Sequence, residues 1–309
     1  MRDLQKTCRV ALVQSEPMLF DKAAGLDKTV RLIRKAADSH PDLIVFPELF
    51  IPGYPFGMNF GFGVGRREEP GRRDWLRYYD ASMLVPGPET QALAAAAREA
   101  QCYLSIGVSE RDEHSGTLYN TNLIFSPSGE IVSHHRKLKP TGSERLVWGD
   151  AQSHYFPIAD TPFGPMGSLI CWESYMPLAR VALYEKGVTI YISPNTNDNE
   201  EWHSTIRHIA IEGKCFFINS DMLITKASYP RDLETYDRDV SRLPDSICRG
   251  GSCIVDPFGH YLTEPVWDEE AIITAELDMA LPAAARMEFD PCGHYARPDV
   301  LQLSVQEED

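Results

Sequence analysis

Residues 9–49 read RVALVQSEPMLFDKAAGLDKTVRLIRKAADSHPDLIVFPEL, and this stretch decides the fold. The apolar run Arg9–Ser15 is typical of a buried strand. Asp21–His40 is predicted to be a helix because its apolar residues recur at helical spacing: Leu26, Val30, Ile33 and Ala37. Asp42–Leu49 is a second apolar run. Strand, helix and strand within about 40 residues make a βαβ unit, which favours parallel neighbouring strands.

The same alternation continues along the chain. An alanine-rich helix is predicted at 89–101, followed by three strands at 102–111, 117–127 and 130–138. The second half predicts strands at 166–173, 188–195, 215–222, 252–256 and 271–278, and helices at 176–187 and 201–214. About ten strands with helices outside favour an α/β fold with two packed sheets between helix layers over one open sheet.

The chain is predicted to form a single domain over residues 1–285, because no Gly/Ser linker or change of composition divides it. Residues 286–309 are predicted to be a C-terminal tail that packs on the body or on a partner subunit. The long stretch Ile51–Gly87 is rich in Gly, Pro and aromatic residues. It is too long for a simple connector, so we expect a lid, a pocket wall or an interface loop.

Composition and charge exclude several classes of protein. With 43% hydrophobic and 24% charged residues, the chain is typical of a globular protein. A net charge of −15 argues against nucleic-acid and anionic-membrane surfaces, which need basic patches. There is no signal segment and no membrane-spanning apolar run. Seven scattered cysteines predict a reducing compartment, so we expect a cytoplasmic protein.

Cys171 lies where the predicted strand GSLIC ends and a helix begins a few residues later. Backbone N–H groups and the positive end of a helix dipole at such a position favour a thiolate. The backbone N–H of Trp172 would be a natural oxyanion donor beside it. The alternative is a buried structural cysteine, which is the commoner role of a free cysteine.

Glu48 ends the apolar run LIVFPE. A carboxyl group there should be partly desolvated and have a raised pKa, which suits a general base near neutral pH. The alternative is a glutamate at the rim that simply meets solvent.

Lys137 lies in the basic run His134–Lys139, which can also be a solvated edge strand. Period-two alternation places His135, Lys137 and Lys139 on one face and Arg136 and Leu138 on the other. Only one of the two faces can point inward. Lys137 is therefore a candidate catalytic residue only because Glu48 and Cys171 accompany it in the sequence.

These three residues lie in FPELF, HRKLKP and LICWES, which resemble the Glu-Lys-Cys triad of the nitrilase (carbon–nitrogen hydrolase) superfamily. Four longer segments resemble its true nitrilase branch: RKLKPTGSERLVWGD, CWESYMPLAR, HIAIEGKCFF and GHYARPDV. The resemblance implies an αββα sandwich, in which two packed mixed sheets are flanked by helices. It also implies that the protein uses no cofactor and no metal, and that it acts through a covalent thioimidate.

The resemblance further implies the role of each residue. Cys171 would attack the nitrile carbon while Glu48 takes its proton as the general base. Lys137 would stabilise the tetrahedral intermediate together with the backbone N–H of Trp172. Glu144, in SERLVWG, matches a further glutamate that the family uses near the lysine. It would keep the lysine charged and oriented.

Other residues are weaker candidates. Tyr54, Trp172 and Thr196 are predicted to bind substrate, although core packing is the ordinary role of an aromatic residue. Glu173 is predicted to orient its neighbours. His203 and His208 lie five residues apart in a predicted helix, which is poor spacing for a metal, so both are expected to be structural.

The function predicted from these residues is hydrolysis of a small organic nitrile to the carboxylic acid and ammonia, with water as the second substrate. An aliphatic amidase, a carbamoyl-type amidohydrolase or a cyanide- or nitrile-hydrating relative would use the same triad. A non-catalytic ligand-binding member of the fold is the alternative from another class. The resemblance implies a homodimer or larger homo-oligomer. Whether the nitrile is aliphatic, aromatic or an arylacetonitrile stays open.

Overall fold

The computed structural model describes residues 5–152 and 155–306, in which two β-sheets pack against each other between helices. The first half contains β1 (Thr7–Gln14), α1 (Lys22–Ala37), β2 (Leu43–Val45), α2 (Glu69–Ala81), α3 (Pro88–Ala100), β3 (Tyr103–Arg111), β4 (Leu118–Phe125) and β5 (Ile131–Arg136). The second half contains β6 (Ile158–Thr161), β7 (Gly164–Ser168), α4 (Pro177–Glu185), β8 (Ile190–Asn195), α5 (Glu200–Gly213), β9 (Phe216–Asp221), β10 (Leu223–Thr225), β11 (Ser246–Val255), β12 (Tyr261–Trp267), β13 (Ala271–Asp278) and α6 (Leu281–Arg286).

Both sheets are mixed, as the sequence predicts. The first has the strand order β13-β1-β2-β3-β4-β5, with β1, β2 and β3 parallel. The second has the order β10-β11-β9-β8-β7-β6, with β12 also paired to β11 and β7, β8 and β9 parallel. The parallel strands belong to the predicted βαβ units.

The core has an inner layer between the sheets and an outer layer under the helices on each side. β1 shows why, since its side chains alternate between the two faces of the sheet. Val10 and Leu12 belong to the inner cluster, whereas Ala11 and Val13 pack towards the outer side. Ile33 of α1 belongs to that outer cluster. The helix begins where expected, because the Asp21 side chain accepts a hydrogen bond from the backbone N–H of Ala24.

Strand direction brings three chain segments to one edge of the sandwich. β2 and β3 are parallel, β4 is antiparallel to β3, and β5 is antiparallel to β4. β2 and β5 therefore run in the same direction and deliver their carboxyl ends to the same edge of the first sheet. The carboxyl end of β7 reaches this region from the second sheet.

The stretch 51–87 holds helix α2 and is fastened to a second long segment, residues 226–245. The buried carboxylate of Asp74 accepts hydrogen bonds from the backbone N–H groups of Glu234 and Thr235, at 3.0 and 2.8 Å. The Thr235 hydroxyl donates to the same carboxylate at 2.7 Å. The Tyr229 hydroxyl donates to the backbone carbonyl of Phe56. The two segments support each other as one unit.

Two predicted strands are shorter than expected. The predicted strand 166–173 ends at Ser168, because Cys171 adopts a positive φ of 53° and opens a 3-10 turn over Cys171–Tyr175. The predicted strand 130–138 ends at Arg136. The grouping of Lys139 with the buried face was wrong, since its half-exposed side chain pairs with Asp150.

Three strands were not predicted: β6, β10 and β12. β6 and β10 have only four and three residues, and β12 contains Pro265. Short runs and an internal proline do not produce a clear strand pattern.

The chain beyond α6 is largely exposed as far as residue 306. Leu303 and Val305 are exceptions, since they pack against the apolar cluster beneath α4 and α5. None of the helices in the two described ranges combines the length and the apolar character that a bilayer crossing requires.

Candidate active site

Four predicted residues meet at the shared strand edge. Glu48 follows β2, Lys137 follows β5 and Cys171 follows β7, while Glu144 lies in a 3-10 turn over Gly142–Leu146. Lys137 Nζ donates to Glu144 Oε2 at 2.8 Å and lies 3.6 Å from Glu48 Oε2. All four side chains are buried. The structure thus assembles a thiol, an ammonium group and two carboxyl groups in one buried cluster.

Glu48 is oriented by a neighbour and by the backbone beneath it. Asn120 Nδ2 donates to Glu48 Oε2 at 2.9 Å, whereas Oε1 has no hydrogen-bond partner among the described residues. The strand below approaches so closely that a Cβ on Gly107 would lie 2.4 Å from the Glu48 Cα. Burial raises the pKa of Glu48, and the charge of Lys137 opposes this rise. Glu48 is therefore held in place with one oxygen free to take a proton.

Lys137 is an ammonium group between two carboxyl groups. Burial by itself lowers the pKa of Lys137, but the charges of Glu48 and Glu144 outweigh burial and raise it. Its backbone N–H donates to the Asn120 carbonyl at 2.7 Å, which continues the pairing of β5 with β4. Lys137 is thus a fixed positive charge in a dry site.

Glu144 is held by three donors. Besides Lys137, the backbone N–H of Thr141 donates to Glu144 Oε2 at 2.7 Å and the Tyr54 hydroxyl donates to Oε1 at 2.9 Å. Burial and the neighbouring Glu144 charge raise the pKa of Tyr54 well above its ordinary value. Tyr54 therefore stays neutral and acts as a donor beside the cluster, and its role in substrate binding stays a prediction.

The surroundings of Cys171 favour the neutral thiol over the thiolate that its strand-end position predicts. Burial raises the pKa of the Cys171 thiol well above its ordinary value, and the charge of Glu48 adds to this. Lys137 and the backbone N–H of Thr196, which donates towards the sulfur, lower the pKa by less. Helix α4 starts only at Pro177, so its dipole acts on the sulfur from further along the chain than burial and the carboxylate of Glu48 do.

The Cys171 thiol lies beside the proposed base, and its interaction with Glu48 lowers the pKa of that carboxyl group. A protonated thiol beside a carboxylate can transfer its proton as it attacks an electrophile. The pair is therefore arranged for nucleophilic attack that is coupled to proton transfer.

The remaining predicted residues lie around this cluster. The indole ring of Trp172 is 46% exposed and packs edge-on against Tyr175, with ring centroids 5.5 Å apart. Thr196 reaches the sulfur through its backbone, and its Oγ1 has no hydrogen-bond partner among the described residues. The neighbouring Asn197 is anchored by its backbone N–H, which donates to Asp221 at 2.9 Å.

The sequence analysis missed Asn120 and Asp221. Asn120 and Asn122 lie two residues apart within the otherwise apolar strand β4, and both are buried. Two buried amides at this spacing point to the same face, which is a signal that could have been used. Asp221 ends β9, where a strand-end carboxyl group gives the same kind of signal.

In the described parts of the chain, no three or more His, Cys, Asp and Glu side chains cluster in a way that could hold a metal ion. The chemistry of the cluster follows from its own residues. Cys171 can form a bond to carbon, Glu48 can accept and return a proton, and Lys137 can stabilise negative charge. These are the requirements for covalent hydrolysis of an acyl or related carbon centre.

Comparison with known proteins shows the family of the chain. The family model for carbon-nitrogen hydrolases matches residues 9–287. An aliphatic nitrilase of Sinorhizobium fredii (strain HH103) is 46% identical over 97% of this chain and 96% of its own length. A bifunctional nitrilase/nitrile hydratase of Lupinus angustifolius is 43% identical over 97% of this chain and 86% of its own length.

The fold is also shared with a solved structure. The crystal structure of Saccharomyces cerevisiae Nit3, a member of branch 10 of the nitrilase superfamily, has a TM-score of 0.74 and 23% identity. The match covers 96% of this chain and 98% of that one. Taken with the family model, which spans both sheets and every residue of the cluster, this similarity leads to one conclusion: the chain belongs to the carbon–nitrogen hydrolase family.

Proposed function

We propose that the protein is a nitrilase that converts a small organic nitrile into the carboxylic acid and ammonia. The observation that carries this proposal is the buried cluster in which Lys137 lies 2.8 Å from Glu144 and 3.6 Å from Glu48, beside the Cys171 thiol. Similarity over nearly the full chain to proteins named as nitrilases supports the choice of substrate.

The first step is addition of the thiol to the nitrile. The Cys171 sulfur bonds to the nitrile carbon, one carbon–nitrogen π bond breaks, and the thiol proton passes through Glu48 to the nitrogen. The product is a thioimidate. A nitrile carbon is a weak electrophile, so the developing charge on nitrogen needs stabilisation, which Lys137 and the backbone N–H of Trp172 supply.

The second half of the reaction consumes two water molecules. Glu48 removes a proton from the first water, whose oxygen bonds to the thioimidate carbon and gives a tetrahedral intermediate. Glu48 returns this proton to the nitrogen, and the hydroxyl proton follows as the carbon–nitrogen bond breaks. The nitrogen leaves as ammonia and a thioester remains. The second water then cleaves the carbon–sulfur bond, which releases the acid and returns the thiol.

Glu144 and Tyr54 keep Lys137 in the required state. Removing a partner from a buried charge leaves it uncompensated, so Lys137 depends on both carboxyl groups. Tyr54 donates to Glu144 and fixes the orientation of its carboxylate. We propose that Tyr54, Trp172 and Thr196 also line the substrate side of the site.

A second outcome, hydration of the nitrile to the amide, follows from the same intermediate. If the carbon–sulfur bond breaks before the carbon–nitrogen bond, the amide leaves after only one water has been used. The bifunctional nitrilase/nitrile hydratase among the relatives favours including this branch. The acid and the amide should therefore both be measured.

The test is a panel of aliphatic, aromatic and arylacetonitrile substrates, with ammonia, acid and amide quantified. We expect the wild type to release acid and ammonia from at least one nitrile. Cys171→Ala should lower this rate by a factor on the order of 10⁴ or more, because it removes the nucleophile. A wild type that is inactive on every nitrile, or as active as Cys171→Ala, would contradict the proposal.

We further propose that the protein is cytoplasmic and works as a homodimer or larger homo-oligomer. Apolar side chains are exposed directly after the nucleophile, at Tyr175, Met176 and Leu178, and on α5 at Ile211. Exposed apolar residues grouped in this way are typical of an interface. Light scattering during size-exclusion chromatography should give a mass of at least two chains, whereas a monomer would contradict this.

A further inference from the structure

Glu173 is a buried carboxylate that the reaction scheme above does not use. Its side chain is 1% exposed and accepts three hydrogen bonds. The donors are the backbone N–H of Leu138 at 2.5 Å, the backbone N–H of Ile170 at 2.6 Å and His135 Nε2 at 2.9 Å. A carboxylate only accepts hydrogen bonds, so His135 carries its proton on Nε2.

The two backbone donors lie beside two catalytic residues on different sheets. Leu138 follows Lys137 at the end of β5, in the six-stranded sheet. Ile170 precedes Cys171 after β7, in the seven-stranded sheet. One carboxylate therefore connects the segment that carries the ammonium group to the segment that carries the nucleophile.

The same carboxylate supports a strained backbone. Cys171 has a φ of 53°, a left-handed conformation that non-glycine residues rarely adopt because it is strained. The surrounding structure must therefore hold it. Glu173 holds this backbone through two hydrogen bonds to Ile170. Its side chain accepts one from the Ile170 N–H, and its own backbone N–H donates one to the Ile170 carbonyl at 3.1 Å.

We propose that Glu173 is a positioning residue that sets the placement of Lys137 relative to Cys171 across the two sheets. This inference rests on the proposed function. It predicts a change in which bond of the tetrahedral intermediate breaks first. In the reaction scheme Lys137 faces the nitrogen whose developing charge it stabilises. A displaced Lys137 no longer assists that nitrogen in the tetrahedral intermediate, so cleavage of the carbon–sulfur bond and release of amide are favoured.

Substitution by glutamine isolates this role. Glu173→Gln keeps the size of the side chain but replaces one acceptor oxygen with an N–H₂ donor. That donor must face either the N–H of Leu138 or the N–H of Ile170, and neither can accept. One of the two backbone connections is therefore lost, whichever way the amide is turned.

The experiment measures kcat and the ratio of amide to acid for Glu173→Gln and the wild type. We expect kcat to fall on the order of 10- to 100-fold and the amide share to rise, since small displacements of catalytic groups have effects of that size. A variant that is only partly folded makes both products more slowly in equal proportion. A shifted ratio therefore separates positioning from loss of folded protein.

Asp74→Asn is the matched control. Asp74 is also a buried carboxylate that accepts two backbone N–H bonds and one side-chain bond, but all its donors lie at Glu234 and Thr235. It should lower the melting temperature and leave the product ratio at the wild-type value. If Glu173→Gln also has the wild-type ratio, the proposal is wrong, whatever happens to its rate.

A second readout does not depend on nitriles. Iodoacetamide should alkylate Cys171 about tenfold more slowly in Glu173→Gln than in the wild type or Asp74→Asn, because the thiol loses its alignment with its base. A wild type that is inactive on nitriles would refute the proposed function, while this rate would still test Glu173. Equal alkylation rates would overturn the positioning role.

If Glu173→Gln does not fold, amide hydrogen exchange in the wild-type protein still tests whether Glu173 connects the two segments. The amides of Ile170 and Leu138 should exchange at least 100-fold more slowly than surface amides, because both are bonded to a buried carboxylate. Exchange at the rate of surface amides would refute the connection.

Discussion

At the scale of single residues, the site works through a balance of burial and charge. Lys137 stays an ammonium group because two carboxyl groups outweigh its burial, whereas Glu48 and Cys171 are pushed towards their neutral forms. The free protein thus holds its nucleophile as a thiol. Attack must be accompanied by proton transfer to Glu48, which therefore has to be ionised beforehand.

The pH dependence of kcat/KM follows from this requirement. Burial raises the pKa of Glu48, so the proportion of ionised base falls as the pH decreases through a value above the ordinary one for glutamate. We expect kcat/KM to decline on the acid side above pH 4.5, the ordinary value. Full activity down to pH 4.5 with a stably folded protein would contradict this assignment.

Sequence alone predicted the charged and nucleophilic members of the cluster, because FPELF, HRKLKP and LICWES together resemble the motifs of one family. It could not identify the state of the thiol. The pKa of Cys171 depends on its distance from Glu48 and on burial by both sheets, and neither is a local property of the chain. Asn120 was missed because its partner lies 72 residues away.

At the scale of secondary-structure elements, the site depends on how closely β3 approaches the loop after β2. A Cβ at Gly107 would lie 2.4 Å from the Glu48 Cα and 2.5 Å from both Leu49 N and Pro47 O. These are backbone atoms that cannot move aside like a flexible side chain. The absence of a side chain at Gly107 therefore permits the position of the general base.

Gly107→Ala should destabilise the protein by about 2–4 kcal/mol, because the clash involves backbone atoms. It should also lower kcat by moving Glu48. Gly116→Ala is the control, since a Cβ there meets nothing within 4 Å. Thermal melts and kcat of the two variants give the comparison, and equal behaviour would show that the close approach is unimportant.

The sequence predicted helices and strands correctly where the apolar pattern extended over many residues. It placed their ends wrongly where contacts between distant residues determine them. Helix α1 and strands β3 and β4 agree closely with the predicted ranges. The strand before Cys171 was predicted too long, because its end depends on the positive φ of Cys171 and on the hydrogen bond that Glu173 accepts from Leu138 of the other sheet. Only the folded arrangement reveals such an end.

At the scale of the whole molecule, the two-sheet sandwich could be predicted from the βαβ rhythm and the number of strands. The mutual support of residues 51–87 and 226–245 could not, because it rests on polar contacts between residues far apart in the chain. Their contacts, such as that of Asp74 with Thr235, join residues 161 positions apart. Long-range polar contacts of this kind leave no local signal.

Acid stability is another property of the whole molecule, and Glu110 contributes to it. Burial alone raises the pKa of Glu110, but hydrogen bonds from His134 and Arg136 lower it from 4.5 to about 2. Because the pKa of Glu110 is lower in the folded than in the unfolded protein, the ionised carboxylate stabilises the fold at pH values above the unfolded pKa. This contribution is lost as the pH falls from 4.5 to about 2.

Glu110→Gln should therefore weaken the dependence of the unfolding free energy on pH between 4.5 and about 2, by up to about 3 kcal/mol across that range. Urea unfolding at a series of pH values measures this effect. An unchanged slope in the variant would show that Glu110 does not contribute.

The central claim is that Cys171 forms a covalent bond to the nitrile carbon. The most direct measurement is peptide mass spectrometry after rapid acid quenching of the wild-type protein during turnover of a nitrile. The account predicts an added mass on the peptide containing Cys171, equal to the intact nitrile for the thioimidate or to its acyl group for the thioester. Turnover with no adduct at Cys171, or with an adduct on another residue, would contradict it.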